Sequence, residues 1–434
     1  MSNTLLSTPR PHLGRLGPPA AADHEPARAG TAPLSRSLVA LLAVAVGVLA
    51  ANLYYAQPLV AMISRTLGLL PQAAGLVVTM TQIGYGLGVL LIVPLGDILE
   101  NRRLILTAMS VAVIGLLGIT VSTHLAPYFA FALATGLGAS TVQIIVPYAA
   151  HFAPPERRGQ IVGTLMSGLM LGIMLSRPLS GLLSGWWSWH AVFLISAGLM
   201  TVLALVLYAR LPVRAPESRG LRYPQLLASL VRLFVQTPLL RRRAVYQAFL
   251  FGAFCLFWTA SPLVLAGPQF GLSQAQIALF ALVGVTGAVA APYAGRAADR
   301  GLIGVATTVS MLAAAGSFLL GHLWTPGSPG ALGALVASAV LLDAGGTANL
   351  VLGQRAIFTL PAEYRSRLNG LYIATIFVGG SCGSALGAWA YARGGWALTS
   401  WIGLALPLCA LAMFATELPG RRARVASVAG IAPE

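Results

Sequence analysis

Apolar residues run through this chain in twelve long stretches separated by short polar intervals. Each is roughly twenty residues, enough to cross a bilayer as a helix. The predicted spans are 37–60, 73–95, 104–122, 127–150, 160–183 and 191–210, then 244–266, 276–294, 302–322, 331–353, 368–392 and 397–417. The longest polar interval between the two ends, 211–243, carries Arg214, Arg219, Arg222, Arg232, Arg241, Arg242 and Arg243 against one acid, Glu217. The pattern therefore reads as a tail (1–36), six spans (37–210), a linker (211–243), six more spans (244–417) and a second tail (418–434). The first tail is rich in Pro, Ala, Gly and Arg without apolar periodicity and is expected to be disordered. The run that begins near Ser37 is too long for a secretory signal core and is expected to be a retained span.

The two sets of six echo each other. Ala56-Gln57-Pro58-Leu59 returns as Ala260-Ser261-Pro262-Leu263, and the Asp97 loop returns at Asp299, 202 positions later. Gly163, Gly172 and Trp189 return as Gly370, Gly379 and Trp396, each 207 positions on. An offset that drifts by so few residues marks a duplicated unit, with 211–243 as the seam.

Composition agrees with the pattern. Hydrophobic residues make up 57% of the chain and charged ones 9%, which fits a polytopic membrane protein. The net charge of +16 would suit a nucleic-acid partner, but the arginines sit in short loops, where they report topology instead. Placing both termini and alternate loops on one side puts 24 of the 27 arginines there, so that side is expected to be cytoplasmic. Trp186, Trp187, Trp189, Trp324, Trp389, Trp396 and Trp401 gather at the other interface. Cys255, Cys382 and Cys409 all lie in apolar runs and are expected to be buried free thiols. Glycine is dense in spans two, five and eleven, where small residues let helix backbones approach.

Two charges fall inside spans. Asp343 is in the middle of span ten, and Arg177 is about six residues from the outer end of span five, roughly 9 Å at the helical rise. Each costs at least about 2.5–3.5 kcal/mol to place there, so both are candidates for proton coupling. Asp343 reads as a proton carrier, a site for a cationic cargo or half of a structural ion pair. Arg177 reads either as a partner in coupling or as a side chain that snorkels outward. No phosphate loop, metal cluster or nucleophile–base pairing is present, so no enzyme activity and no cofactor are expected.

Gly295-Arg296-Ala297-Ala298-Asp299-Arg300-Gly301, between spans eight and nine, resembles the loop motif of the major facilitator superfamily. The copy between spans two and three, Pro94-Leu95-Gly96-Asp97-Ile98-Leu99-Glu100-Asn101-Arg102-Arg103, keeps the aspartate and the basic end. It has Val93 at the first glycine and Ile98 in place of the arginine. Two copies in equivalent loops of a duplicated twelve-span chain carry the resemblance over about 37–417. Span five, Gly172-Ile173-Met174-Leu175-Ser176-Arg177-Pro178-Leu179-Ser180-Gly181, keeps two glycines of the efflux-type pattern and has Arg177 where proline belongs. Span four has Ala132 where many members carry an arginine tied to proton coupling. Asn52-Leu53-Tyr54-Tyr55-Ala56-Gln57-Pro58, with Gly353-Gln354-Arg355 and Arg365-Ser366-Arg367-Leu368-Asn369-Gly370, looks like the bacterial drug or sugar efflux-permease branch.

That resemblance implies an all-α fold of two six-helix bundles, each with inverted repeats, around a midplane site. It implies that spans one, four, seven and ten line a cavity, with Asn52, Tyr55, Gln143, Gln247, Trp258, Thr347 and Asn349 as candidate cargo-binding residues. It also implies an inner gate in which Asp97 bonds to the start of span eleven and Asp299 to the start of span five. Arg102, Arg103, Arg300, Glu156, Arg158, Glu363 and Arg365 are the neighbouring charges. The implied activity is alternating-access transport of a small organic molecule, most simply export from a bacterial inner membrane in exchange for protons, by a monomer. An uncoupled facilitator or an importer of the same fold is the alternative, and the missing span-four arginine keeps it open. Reporter fusions at Gly220 and after Arg424 should both report cytoplasm; an external signal from either overturns the arginine argument.

Overall fold

The computed structural model describes residues 34–154, 156–214, 222–325, 327–361 and 364–417; the first tail up to residue 33 and the whole second tail lie outside the described residues. Among the described residues all regular structure is helical. In a bilayer each backbone donor and acceptor must be satisfied within its own segment, and helices achieve this. In chain order they are α1 (Arg36–Ala51), α2 (Val60–Thr66), α3 (Leu76–Leu91), α4 (Asn101–Val121), α5 (Leu125–Ala139), α6 (Val142–His151), α7 (Arg158–Trp186) and α8 (Trp189–Arg210). There follow α9 (Tyr223–Gln236), α10 (Pro238–Ala266), α11 (Gln274–Ala281), α12 (Gly287–Asp299), α13 (Ile303–Leu320), α14 (Pro329–Ile357) and α15 (Arg365–Ala415). Side chains close several helix starts. Glu100 accepts from the Arg102 and Arg103 amides at the head of α4, and Ser328 accepts from Ala331 N at 3.1 Å at the head of α14.

Ten segments among the described residues are long and apolar enough to cross a membrane, two fewer than the sequence count. One difference lies in span one. Its helix stops at Ala51, passes through a turn at 52–56 and a 3₁₀ turn at Gln57–Leu59, and resumes as α2. Pro58 lacks an N–H and crowds the carbonyl four residues back, which favours a break here. The other lies in α15, where spans eleven and twelve follow each other with only Gly394 and Gly395 between them. Both glycines have non-helical backbone, and Gly395 has φ of +59°, a conformation that side-chain-bearing residues rarely adopt, so α15 is two helices joined at this kink. Span eight is also interrupted, by a 3₁₀ turn at Leu282–Thr286 between α11 and α12.

Each half has its own core: Leu42, Leu49, Leu116, Ile145 and Met200 in the first, Leu250, Phe257, Met311, Phe318 and Leu342 in the second. A third cluster joins the halves, with Tyr54, Tyr85 and Val89 against Leu368, Leu371 and Phe377. Helix α9 lies within the stretch that the sequence pattern leaves as a polar linker. It buries Leu226 and Leu230, the latter within this third cluster, and its Tyr223 hydroxyl donates to the Leu91 carbonyl at 2.9 Å. The apolar stripe at 226, 227, 230, 233 and 234 was the available signal.

Glycines set the helix spacing. A Cβ on Gly172 would lie 2.0 Å from the Gly47 carbonyl, where α7 crosses α1. The second half repeats this contact, since a Cβ on Gly383 would lie 2.0 Å from the Gly252 carbonyl, where α15 crosses α10. Between the halves α3 packs on α15 along its length, from Gly75 at the Ser384 carbonyl, through a Thr79–Ser384 hydroxyl bond of 2.7 Å, to Gly370 beside Val89. The corresponding seam of α7 closes at one end only. Gly181 meets Ala278 of α11, whereas Gly159 and Gly163 face open space.

Two expectations are corrected. Only Cys255 is buried; Cys382 and Cys409 are exposed on the outer surface of α15, because a span presents one side away from the core. Of the seven tryptophans assigned to the interface, Trp189 packs inward and donates to Thr66 Oγ1 at 3.2 Å, and Trp396 packs on Phe257. Trp186, Trp187, Trp324, Trp389 and Trp401 are exposed.

Overpacking of a close crossing costs about 1–3 kcal/mol. Gly383→Ala should therefore lower the unfolding temperature of the detergent-solubilised protein by several degrees, while Gly163→Ala should leave it unchanged. Equal shifts would show that the α10–α15 crossing is not spaced by its glycines.

Candidate functional site

Arg177 bonds Gln57 in the break of span one, and both buried charges lie beside Gly284 in the break of span eight. Asp343 on α14 is 4% exposed, and its Oδ1 accepts from the Trp258 indole of α10 at 3.0 Å. Arg177 on α7 is 2% exposed, and its Nε donates to Gln57 Oε1 at 2.7 Å. Its guanidinium carbon lies 4.4 Å from the Trp258 ring centroid, 5.0 Å from that of Phe254 and 5.2 Å from that of Tyr54. A cation held against aromatic faces out of water gains from each of them.

Arg177 and Asp343 face each other across Gly284, in the 3₁₀ turn of span eight. The position a Cβ on Gly284 would take is 3.0 Å from Arg177 Nη1 and 3.0 Å from Asp343 Oδ2. The two groups are thus within ~6 Å, where opposite unit charges attract by ~3 kcal/mol at an effective dielectric near 20. They form no contact ion pair among the described residues. The sequence suggested that Arg177 could snorkel outward, too far from Asp343 to pair readily. Instead α7 continues to Trp186, which leaves Arg177 nine residues from its end, and the ring cage turns the side chain inward.

This pair lines a cavity of about 130 Å³ between the halves. Thr347 and Gln247 line it, as expected, together with Met170, Ile173 and Met174 of α7 and Phe251 and Phe254 of α10. Gln247 donates to the Gly346 carbonyl at 3.1 Å and accepts from Asn349 at 2.8 Å, so Asn349 stands behind it, outside the lining. Trp258 is outside this lining; with Gln57 and Pro262 it borders a smaller separate space, which Arg177 also lines. Gln143 lies beyond the cavity in a chain of amides. Gln354 donates to Asn369 at 3.2 Å, Asn369 reaches Gln143 at 3.5 Å, and Gln143 donates to the Tyr85 hydroxyl at 3.0 Å. Asn52 and Tyr55 do not reach the cavity; Asn52 accepts from Ser196 Oγ of α8 at 2.6 Å. The helix of span one ends at Ala51, and the turn that follows presents Tyr54 to the cavity instead. The sequence reading did not assign Tyr54, Phe254 and Gln57, although Gln57 stands in the repeated Ala-x-Pro-Leu segment.

The loop charges divide. Asp97 Oδ2 lies 3.7 Å from Arg367 Nη2 at the head of α15, a contact across the halves. Asp299 lies 3.4 Å from Arg355 of its own half instead of reaching the head of α7. The cause is the open end of the α7 seam, where Glu156 and Arg158 are exposed. Arg102 bonds the Tyr208 carbonyl, Arg103 pairs with Glu100 at 3.7 Å, and Arg365 donates to the Phe358 carbonyl at 3.2 Å. Arg300 is exposed, and Glu363 lies outside the described residues.

A two-core helical membrane protein with buried charges facing a central cavity has the form of a carrier. A model of the Major Facilitator Superfamily matches residues 42–329. The uncharacterized transporter YgaY of Escherichia coli O157:H7 is 38% identical over 364 residues, 84% of this chain and 91% of that protein. A probable transporter of Streptomyces coelicolor is 32% identical over 380 residues, 87% of this chain and 86% of that protein. Among solved structures, a variant of the nucleoside transporter NupG superposes with a TM-score of 0.70 at 16% identity, covering 87% of this chain and 100% of the other. A bacterial homologue of the human lysosomal transporter Spinster, inward-facing and occupied, gives 0.69 at 16% identity, covering 89% and 97%. The chain belongs to the major facilitator superfamily, and it is a transporter.

An exposed charge pair contributes about 1 kcal/mol or less. Arg367→Glu should therefore open the Asp97 end only modestly, by up to about fivefold in the accessible fraction, and Asp97→Arg in the same chain should restore it. Cysteine accessibility at Val93→Cys reads this out; no rescue by the exchanged pair would remove the contact from the gate.

Proposed function

We propose that the protein is a proton-coupled secondary transporter of a small organic molecule, working by alternating access, with Asp343 as the proton-carrying group and Arg177 as the fixed charge opposite it. The observation that carries this reading is the burial of Arg177, from the first half, and Asp343, from the second, against each other at the cavity. Opposite charges supplied by the two halves attract while that end of the cavity is shut, and neutralising one of them weakens the closure. A group whose charge changes with access and also helps to hold a gate couples a proton to a conformational change. Asp97 and Arg367 would act in the same way at the opposite, arginine-rich end, which we assign to the cytoplasm with both termini.

Two senses of coupling follow. Export in exchange for protons from a bacterial inner membrane is supported by the two retained glycines of the span-five pattern. Uptake of cargo together with protons is favoured by a different observation, the permanent charge of Arg177 beside the proton site. The carrier acts as a monomer in either case.

Asp343→Asn keeps shape and hydrogen bonding but cannot titrate. In proteoliposomes containing a pH-sensitive dye it should reduce cargo-driven proton movement at least about tenfold, with cargo exchange at equal pH still measurable. Unaltered proton movement returns Asp343 to a structural part.

A further inference from the structure

The cage around Arg177 is incomplete in one respect. Its Nη2 is buried and has no hydrogen-bond partner among the described residues, and neither does Nε2 of the adjoining Gln57. Both orphan groups are donors, so what is missing is an acceptor. A guanidinium keeps its proton at any physiological pH, so this low-dielectric region carries one permanent positive charge. A purely structural ion pair would satisfy it by contact. Here Asp343 is held by Trp258 through one oxygen and kept apart from Arg177 by the turn at Gly284. Arg177 also lines both the main cavity and the small space behind it with Gln57 and Trp258, so the cargo side borders this residue, and Nη2 becomes available when the cage around it opens. The main cavity is apolar where it meets α7 and α10, at Met170, Ile173, Met174, Leu250 and Phe251.

We infer that the cargo is an organic acid: its anionic group, a carboxylate or an acid of similar charge, seats on the free edge of Arg177, its apolar body fills the cavity, and it binds while Asp343 holds a proton. This rests on the reading of Asp343 as the proton site and adds the class of cargo and the sense of coupling. One negative charge balances Arg177, and two would leave the buried site with a net charge. The Asp343 carboxylate and the cargo anion therefore substitute for each other. Binding of the anion requires the proton on Asp343, and release of the proton draws Asp343 back toward Arg177 and expels the anion. One proton then travels with one anion, and the step moves no net charge. The other titratable groups that couple electrostatically to this pair are Tyr54, from the turn in span one, and Cys255 of α10; both are neutral when protonated and leave the balance unchanged. A cationic cargo would gain from Asp343 only by lying against the guanidinium.

The test uses matched sets of probes on purified protein in nanodiscs. Each set is an acid, its amide and its amine on one body: benzoate, benzamide and benzylamine, then the indole-3-acetate set, then the decanoate set. At pH 5.5 at least one acid should bind about tenfold or more tightly than its amide and amine, equivalent to about 1.4 kcal/mol. That preference should fall as pH rises to 8. Arg177→Gln should abolish it, Arg177→Lys should retain part of it, and Asp343→Asn should make acid binding independent of pH. Size-exclusion profiles and unfolding temperatures identify any variant that fails to fold, and Arg177→Lys then carries the test. In proteoliposomes, acid uptake should follow an imposed pH gradient and ignore a potassium diffusion potential, whereas exchange of a proton for a neutral molecule would respond to that potential. No acid preferred in any set, or acid binding unchanged in Arg177→Gln, overturns the inference even if Asp343→Asn abolishes proton movement. Acid binding that is lost in Arg177→Gln but never depends on Asp343 would instead overturn the proton-site reading.

Discussion

A guanidinium that cannot lose its proton, held where water does not reach, is the constraint around which this molecule is arranged. Placing such a group in a bilayer costs at least about 2.5–3.5 kcal/mol, and the fold recovers this from several directions. Span one breaks so that Gln57 can accept from Arg177 and Tyr54 can lie against it. Helix α10 supplies Phe254 and Trp258, and Trp258 also fixes Asp343. Span eight gives up helical regularity at 282–286 and places a glycine where any side chain would meet both charges. Each of these local irregularities is costly to an isolated helix and makes sense only beside Arg177.

The rest of the architecture frees those irregular segments to exist. Backbone groups released by a broken helix are tolerated in a membrane only inside protein or along a cavity. The glycine crossings bring α1 to α7 and α10 to α15 into backbone contact, and the breaks lie against α7, α10 and α14. Two separate apolar cores keep each half rigid, while the cluster around Tyr54, Phe377 and Leu371 is shared between them. Any movement between the halves would then remake one interface and leave two cores intact.

Much of this was legible in the residues. The period of apolar runs, the 202- and 207-residue echoes and the arginine bias led to the family and its helical fold, because these features repeat and accumulate along the chain. Asp343 stood out as an acid inside an apolar run, and Gln247 and Thr347, implied by the resemblance, line the cavity because α10 and α14 are unbroken there. Asn52 and Tyr55 were misplaced because phase is lost at the turn after Ala51. Arg177 was set too near the surface because apolar sequence cannot say how far past Leu183 the helix continues. Helix α9 was hidden by its arginine-rich surroundings, and the partner of Asp299 depends on how far apart two helices stand, which no single segment encodes.

The unequal seams give the molecule an axle. The α3–α15 contact holds from Gly75 to Gly370, while the α7 side is joined only near Gly181. A body fastened along one edge turns about that edge, and displacement grows with distance from it. The loop at Asp97 lies at the closed seam, where its aspartate meets Arg367 of the other half. The loop at Asp299 lies at the open one, where its aspartate meets Arg355 of its own half. Two copies of one repeated loop are thereby in unequal surroundings, so any rotation about the fastened edge would load them differently.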